Sequence, residues 1–258
     1  MKFAVCLEYD GADFSGWQSQ SHARSVQDCV EAALSAVADH EVKVVCAGRT
    51  DAGVHATGQI VHFESAAARA EDDWRRGANS HLPDDVRARW VRAVAGDFHA
   101  RFSALRRRYR YVILNAPAAS ALLRRLTAPV RRPLEAGAMH AAAQALVGEH
   151  DFSGYRGAGC RSRTPMRRVE SVAVRRDGRF VYVDICANAF LQHMVRNIVG
   201  VLVEIGCGDR PRDDARRVLE WRDRTRGGVT AEGAGLYLVA IEYDARYALP
   251  GDAVWPRF

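Results

Sequence analysis

The strand-like and helix-like segments of this 258-residue chain occur in the same order twice. The first half reads strand, helix, strand, strand, helix, strand. Its apolar strand patterns cover residues 2–8, 42–46, 59–63 and 86–94, and its helical patterns follow Ser25 and surround Trp74. Ser25 precedes an acid, Asp28, which is typical of a helix N-terminus.

The second half repeats the pattern with longer connections. Strands are predicted at 108–114, 169–174, 180–186 and 236–243, and helices at 133–147, 189–205 and 211–221. Pro133 suits the first turn of a helix, and residues 169–186 read as a hairpin around Gly178. The two cycles predict an α+β fold of two ferredoxin-like βαββαβ lobes with largely antiparallel sheets, one at residues 1–104 and one at 105–258.

The cysteines and the hydropathy pattern limit which metal sites, disulfides and cellular locations are expected. None of the six cysteines lies in a CxxC or CxC pair, so neither a zinc site nor a disulfide framework is expected. No apolar run reaches the roughly 18 residues that a membrane-spanning helix needs. Charges occur too early in the N-terminal segment for a signal peptide, and we expect a cytoplasmic protein with no membrane partner.

Positive charge is concentrated in the middle of the chain. The formal net charge is +6, and arginine carries nearly all of the positive charge because Lys2 and Lys43 are the only lysines. Residues 97–132 contain nine arginines and one acid, so the remainder of the chain is slightly acidic. Such a stretch is typical of a surface that binds nucleic-acid phosphates, and a solvated face has the same composition.

The loop between the second and third predicted strands has the most unusual composition. Residues 48–55 read GRTDAGVH and bring Arg49, Thr50, Asp51 and His55 close together in the chain. The two glycines allow close backbone approach, and loops held between strands often carry functional groups. An ordinary hairpin in which Asp51 caps its own backbone would explain the same pattern.

Other kinds of catalytic site find no support in the sequence. A protease of the Asp-Thr/Ser-Gly type needs a second such aspartate, and the chain has none. His55 and His62 lie seven residues apart, which is not a standard spacing for metal ligands. Neither a Walker-type phosphate loop nor a Gly-x-Ser-x-Gly elbow occurs. A single aspartate beside an arginine remains as the candidate catalytic feature.

Several short segments in a fixed order span nearly the whole chain. They are AGRTDAGVH at 47–55 and the segments at 8–11, 14–18, 98–104, 108–111, 151–153, 162–165, 190–197 and 235–238. In sequence and order they resemble the tRNA pseudouridine synthase A family. The chain departs from that family at 229–234, where VTAEGA stands in place of a turn that often contains proline.

The resemblance implies a fold, a reaction and a substrate. The two lobes would form a central cleft, and the enzyme would convert uridine to pseudouridine at positions 38–40 of the tRNA anticodon stem-loop. The reaction breaks the N1–C1′ bond, turns the base and rejoins it through C5. No atom is gained and no redox change occurs, so no cofactor is expected. The resemblance also implies a homodimer in which one tRNA touches both subunits.

The resemblance also assigns roles to residues around the reacting uridine. Asp51 is expected to act as the nucleophile, for which its carboxylate must be ionised. A cation in contact would keep it ionised and fix its direction; Arg196 is the expected partner and Arg49 the alternative. Arg49 is otherwise expected to fill the space of the flipped uridine. Tyr109, rather than Tyr111, is expected to stack against uracil and to move the proton at C5.

Further residues are expected to contact the substrate. Leu236 or Leu238 would pack on the other face of the base. The phosphate backbone of the tRNA would contact a set of arginines: Arg24, Arg101, Arg106, Arg107, Arg110 and Arg163. Two alternatives stay open at this point. One is a protein that binds RNA without turnover, and the other is an enzyme of the same fold that acts on ribosomal RNA or mRNA.

Overall fold

A computed structural model describes residues 1–251 and 253–258. The chain forms two compact units, Met1–Leu105 with Tyr237–Pro256 and Arg106–Leu236 with Arg257–Phe258. The strands are β1 (Lys2–Tyr9), β2 (Val45–Cys46), β3 (His55–Glu64), β4 (Val86–Val94), β5 (Ala104–Asn115), β6 (Ala128–Val130), β7 (Gly148–Asp151), β8 (Met166–Asp177), β9 (Phe180–Ala187) and β10 (Leu236–Tyr243). The α-helices are α1 (Val26–Ala38), α2 (Glu71–His81), α3 (Ala136–Ala143), α4 (Met194–Gly206) and α5 (Asp214–Trp221).

The first unit has the ferredoxin-like arrangement that the sequence predicts. Strand β3 lies antiparallel to both β1 and β2, and β1 also pairs antiparallel with β4. Helix α1 connects the parallel strands β1 and β2, between which β3 lies, and α2 connects β3 to β4. This is a split βαβ unit with a fourth strand at its edge.

One edge of β3 is shared by two short pairings. Strand β2 pairs with Val61 and His62, whereas β10 runs parallel to β3 and pairs with His55 and Ala56. The pairing of β10 explains why Tyr237–Pro256 belongs to the first unit. The structure differs here from the division at residue 104, which used chain order alone.

Both faces of the first unit's sheet are buried. Alternate residues of each strand point to opposite faces, so each strand contributes to two separate clusters. On one face Phe3 stacks on Phe63 with ring centroids 5.3 Å apart, and Trp74 of α2 packs against both rings. The other face carries a cluster that includes Ala4, Cys6, Ala47, Ile60, Phe98, Ala100 and Tyr247. This second cluster joins the start of the 47–54 loop to the turn that precedes β5.

Helix α1 begins where the sequence predicts. The Ser25 hydroxyl accepts the Asp28 N–H at 3.1 Å and donates to the Asp28 carboxylate at 2.6 Å. A side-chain cap of this kind stabilises a helix by about 1 kcal/mol. The helix turns one apolar face toward the core, with Val26, Val30, Ala33, Leu34 and Ala38 buried.

The second unit repeats the split βαβ arrangement. Strand β9 lies between β5 and β8 and is antiparallel to both, with α3 in the connection from β5 to β8. Strand β7 extends this sheet on β8, and β6 pairs in parallel with the end of β5. The prediction of an α+β fold with two ferredoxin-like cycles and largely antiparallel sheets is confirmed.

Several elements of the second unit differ from the sequence-based expectation: β6 was not predicted, α5 begins at Asp214 and not at 211, and three further differences have visible causes. Helix α3 begins at Ala136 and not at Pro133, because Leu134 is buried and its N–H bonds to Asn115, while the N–H of Glu135 bonds to Gly206. Helix α4 begins only at Met194, after a left-handed residue at position 193. Strand β7 was not expected, because its sequence, GEHD, has no apolar alternation.

Candidate active site

The loop between β2 and β3 exposes polar side chains on a fixed backbone. Arg49 is exposed and Asp51 is partly exposed, whereas Thr50 between them is buried. Gly53 adopts a φ of +74°, which favours glycine, and the Val54 N–H donates to the Asp51 carbonyl oxygen at 3.2 Å. The alternation turns Arg49 and Asp51 toward solvent and Thr50 toward the protein.

Two glycines in the segment before α1 lie in close contact with the backbone of this loop. Gly16 has a φ of +97°, and a Cβ there would lie 2.7 Å from the carbonyl oxygen of Thr50. A Cβ on Gly11 would overlap the carbonyl group of Val54. The Trp17 N–H donates to the same Thr50 oxygen at 3.0 Å. These contacts hold the loop backbone on both sides of the aspartate, a role for segments 8–11 and 14–18 that sequence reasoning missed.

A row of hydrogen bonds lies beneath the loop. The Tyr9 hydroxyl is 2.8 Å from Oγ1 of Thr50. Nε2 of Gln59 donates to the Gly48 carbonyl oxygen at 2.6 Å and, at 3.4 Å, to the Tyr9 hydroxyl oxygen. Oε1 of the same Gln59 is buried without a hydrogen-bond partner, which costs free energy. In the sequence, Gln59 stands out only as an amide side chain beside the apolar residues of β3.

His55 belongs to the support of the loop. Its ring is buried and stacks on Tyr237 with centroids 4.7 Å apart. Nδ1 lies 3.0 Å from the Gly11 nitrogen and 3.1 Å from Oδ1 of Asp10. One ring nitrogen cannot accept from the amide and donate to the carboxylate at once, so Nδ1 bonds to Gly11 when it carries no hydrogen and to Asp10 when it carries one.

The cysteine at the start of the loop is a thiol and not a nucleophile. Burial raises the pKa of the Cys46 thiol to about 11, although the nearby charges of Arg49 and Arg101 oppose that shift. The thiolate is the reactive form of cysteine, and this thiol is protonated at neutral pH. The same charges show that Arg49 and Arg101 both lie near Cys46.

In the second unit, β5 carries the two tyrosines that the sequence singled out. Tyr109 is buried, and its ring meets Phe190 edge-on with centroids 5.0 Å apart. Tyr111 is also buried, and its hydroxyl donates to the Glu232 carbonyl oxygen at 2.9 Å. Burial raises the pKa of the Tyr111 phenol, so its proton is firmly held. Tyr111 therefore has a structural role in the described fold.

Arg196 lies in the first turns of α4 and is partly buried. Its Nε–H donates to the Ala231 carbonyl oxygen at 2.7 Å, and its own carbonyl oxygen accepts the Ala231 N–H at 3.1 Å. This double link fixes the side chain and holds the 229–234 segment against α4. In β10, Leu236 and Leu238 point to the same side of the strand and are both buried.

The arginines proposed from sequence as phosphate contacts fall into two groups. Arg101 and Arg163 are exposed, and Arg106 is partly exposed beside Glu170, 2.9 Å away. Arg24 is also exposed, but it makes two hydrogen bonds to Asp85, at 2.6 and 2.9 Å, and covers the ring of Phe14. A phosphate at Arg24 would have to share its guanidinium with that carboxylate.

Arg107 and Arg110 form the second group and are buried. Arg110 makes a bidentate pair with Asp184, at 2.7 and 2.8 Å, and lies over the Tyr182 ring. Arg107 donates to the Asn188 carbonyl oxygen at 2.7 Å. A phosphate contact by Arg110 would require the ion pair to open, so its burial argues against the expected role.

Two further features bear on the class of site. Across residues 1–251 and 253–258, no three His, Cys, Asp or Glu side chains come together as they would around a metal ion. In the same part of the chain, no helix is long and apolar enough to cross a membrane.

Comparison with known proteins gives a consistent result. The sequence model of a family described as tRNA pseudouridine synthase matches residues 5–103 and 142–244. A protein named tRNA pseudouridine synthase A from Pectobacterium atrosepticum is 51% identical over 258 residues, which are all of this chain and 91% of that protein. Proteins of the same name from Salmonella arizonae and Escherichia coli are each 51% identical over 257 residues, with 100% of this chain and 95% of each relative covered.

Proposed function

Because the chain belongs to the tRNA pseudouridine synthase family, we propose that it converts uridine to pseudouridine at positions 38–40 of the tRNA anticodon stem-loop, with Asp51 as the nucleophile. The main support for this proposal is the structure of the Asp51 loop. Its backbone is fixed by Gly11, Gly16 and Trp17, while the carboxylate-bearing residue is partly exposed. A nucleophile held in this way is oriented before substrate binds.

The chemistry needs a carboxylate and a proton acceptor but no cofactor. As the N1–C1′ bond of the uridine breaks, the Asp51 carboxylate attacks C1′ or stabilises the positive charge that develops on the sugar. The detached uracil turns, and its C5 forms the new bond to C1′ as the carboxylate leaves. The proton on C5 departs and N1 gains one, so the product has the composition of the substrate.

The remaining roles follow the family pattern. Tyr109 stacks against the uracil and relays the C5 proton, passing on its own hydroxyl proton as it takes up the one that leaves C5, and the commitment of the Tyr111 hydroxyl to Glu232 supports that choice. Arg196 is the partner of the Asp51 carboxylate.

Substrate contacts surround these groups. Arg49 fills the space left by the flipped uridine, and Leu236 or Leu238 packs against the second face of the base. Arg101, Arg106 and Arg163 contact tRNA phosphates, and their exposure supports this assignment. The enzyme acts in the cytoplasm as a homodimer that binds one tRNA across both subunits.

The direct test compares Asp51→Asn with the wild type and with Asp84→Asn, a substitution of an exposed aspartate paired only locally with Arg87. Pseudouridine is mapped at single-nucleotide resolution in purified tRNA, and tRNA affinity is measured in parallel. We expect Asp51→Asn to lose at least about a thousandfold in turnover while its Kd for tRNA stays within about threefold.

Three results would contradict the proposal. Undiminished turnover in Asp51→Asn would remove Asp51 as the nucleophile. Pseudouridine at other positions, or in ribosomal RNA or mRNA instead of tRNA, would remove the assigned target. Tight tRNA binding by a wild-type protein that forms no pseudouridine would favour an RNA-binding protein without turnover.

A further inference from the structure

Phe102 is an aromatic side chain held at the surface of the unit that carries the Asp51 loop. It is 77% exposed and lies in the turn that leads into β5. A single exposed apolar residue is common and needs no explanation. Phe102 is different because other rings and hydrogen bonds hold it in place.

A column of rings runs from the core of the first unit to Phe102. The His99 ring stacks on Phe102 with centroids 4.3 Å apart and planes 30° apart. The ring centroids of His62 and His99 lie 4.8 Å apart with planes 59° apart, and the His62 ring also meets the buried ring of Phe98 edge-on, with centroids 6.1 Å apart. Burial lowers the pKa of both histidines, that of His62 to about 4, so both rings are neutral and stack without charge repulsion.

The turn that carries Phe102 is closed by hydrogen bonds. Nδ1 of His99 accepts the N–H groups of Arg101 and Phe102, each at 3.2 Å. The His99 N–H donates to the Ser103 hydroxyl at 3.0 Å, and the Ser103 N–H donates back to the His99 carbonyl oxygen at 2.9 Å. The ring is therefore oriented before any ligand binds, which reduces the entropy lost on binding.

The surroundings of the ring are cationic. The guanidinium carbon of Arg101 lies 5.6 Å from the centroid of the Phe102 ring, and Arg101 is itself exposed. An exposed ring with an arginine beside it matches the two parts of a nucleotide, because the base stacks and the phosphate is drawn to the cation.

The column is attached to the Asp51 loop within the first unit. Phe98 and Ala100, on either side of His99, pack in one core cluster with Ala47, the residue that begins the loop. His62 lies opposite Val45 in the pairing of β2 with β3. A ligand on Phe102 therefore binds close to the strand that leads to the candidate nucleophile.

We propose that Phe102, supported by His99 and flanked by Arg101, is a stacking site for an unpaired base of the RNA substrate other than the uridine that reacts. This inference rests on the proposed function, which makes RNA the substrate. It adds a second point of attachment that helps to hold the anticodon loop while the target uridine enters the active site.

The test uses the full-length protein with Phe102→Ala, Phe102→Leu and Phe102→Trp. Affinity for an in vitro transcribed tRNA is measured at one fixed salt concentration, and pseudouridine formation is followed in a single turnover at saturating enzyme. Loss of one base–aromatic stack weakens binding roughly 5- to 100-fold, which we expect for alanine. Leucine, which keeps apolar area without a π face, should resemble alanine, and tryptophan should bind as tightly as phenylalanine.

Two measurements separate stacking from general disturbance. The single-turnover rate of Phe102→Ala should stay within about threefold of the wild type, because Phe102 does not touch the reacting atoms. The control is Phe258→Ala, which removes a phenylalanine that is 41% exposed and packs on Phe180 instead of ending a ring column. It should leave tRNA affinity unchanged.

Each contrary outcome has a distinct meaning. Unchanged tRNA affinity in Phe102→Ala, or full affinity in Phe102→Leu, would overturn the stacking site. A dimeric wild type that becomes monomeric in Phe102→Ala by sedimentation would also overturn it and make the ring a subunit contact. Absence of pseudouridine in the wild type would instead count against the proposed function, while the affinity series would still decide whether RNA stacks on Phe102.

Discussion

The hydroxyl oxygen of Tyr9 lies 2.8 Å from Oγ1 of Thr50, the residue that precedes the proposed nucleophile. Tyr9 belongs to β1, and Gln59 of β3 links the same hydroxyl to the Gly48 carbonyl oxygen. Side chains of β1 and β3 thus form hydrogen bonds to Gly48, at the start of the loop, and to Thr50, the residue next to Asp51. We infer that this network sets the position of the carboxylate.

Tyr9→Phe removes one hydroxyl from this network. We expect kcat to fall about tenfold or more, because a carboxylate misplaced by about 1 Å loses much of its advantage, while KM for tRNA stays near the wild-type value. The free energy of unfolding should fall by only about 1 kcal/mol, the usual contribution of one hydrogen bond. Steady-state kinetics on tRNA and urea unfolding measure the two effects.

The matched control for that substitution is Tyr243→Phe. Its hydroxyl donates to the Ala100 carbonyl oxygen at 2.7 Å within the same unit, and this bond is not part of the Tyr9 network. A similar loss of stability without a loss of kcat is expected there. Equal kcat values for the two variants would show that the Tyr9 hydroxyl has no effect beyond stability.

Gly16→Ala tests the contact between the first segment and the loop. The new methyl group would lie 2.7 Å from the Thr50 carbonyl oxygen, at a residue whose φ is +97°. We expect the free energy of unfolding to fall by about 1–3 kcal/mol and kcat to fall at least about tenfold, because the loop must shift. Thermal unfolding and single-turnover assays of the purified variant measure both.

Gly178→Ala separates the strain of a positive φ from the steric contact. Gly178 has a φ of +53° in the β8–β9 turn, and a Cβ there would meet no atom within 4 Å. It should lose stability of about 1 kcal/mol and keep full turnover. If Gly16→Ala retained wild-type kcat as well, the close approach would have no role in positioning Asp51.

The sequence predicted those parts of the fold whose signals are local. The Ser25 cap and the apolar face of α1 depend on neighbouring residues, and both are present in the structure. The start of α3 was predicted wrongly at Pro133, because the residues after it bond to Asn115 and Gly206, which are distant in the chain. Long-range backbone partners of this kind leave no local signal.

The candidate site shows the same limit. The loop composition drew attention to Asp51, but nothing local indicated that Gly16 supports it, and the amide of Gln59 within an apolar strand did not show which residue it contacts. Arg110 was assigned to RNA because it lies in an arginine-rich stretch. The burial could have been inferred from β9, where Asp184 is the one charged residue of an apolar strand and lies opposite Arg110, because cross-strand partners of opposite charge stabilise a sheet.

Arg101 is exposed and Arg110 is buried, although both lie in the arginine-rich stretch 97–132, and we expect opposite effects when each is neutralised. Neutralising the exposed Arg101, as Arg101→Gln, should reduce the slope of log Kd for tRNA against log salt by about 0.7–0.9, the value for one phosphate contact. Arg110→Gln should leave the slope unchanged and lower the free energy of unfolding by about 2 kcal/mol, because Asp184 loses its bidentate partner and keeps only the single bond from Arg175. Titrations at four or more salt concentrations and urea unfolding distinguish the two. The reverse result would mean that the Arg110–Asp184 pair opens to bind RNA.

The histidine beneath the ring column predicts a pH dependence of stability. Burial lowers the pKa of His62 from 6.5 to about 4, with smaller effects of His99 and Lys2 in the same direction and of Glu64 against it. Between these pH values the unfolded chain binds a proton at this residue that the folded chain does not bind. The stabilising contribution is therefore complete above pH 6.5 and is lost as the pH falls toward 4, by about 3 kcal/mol in total.

His62→Asn isolates that effect, because an amide oxygen can still accept the Ala100 N–H that Nδ1 of His62 accepts at 3.1 Å, and asparagine does not titrate. Urea unfolding at intervals from pH 7 to pH 4 should show the wild type losing stability faster than the variant, with the gap between them changing by up to about 3 kcal/mol. Other acidic and basic groups titrate in both proteins and cancel in the difference. Parallel curves across this range would mean that His62 takes up its proton in the folded protein, and the ring column would then carry a charge below pH 6.5.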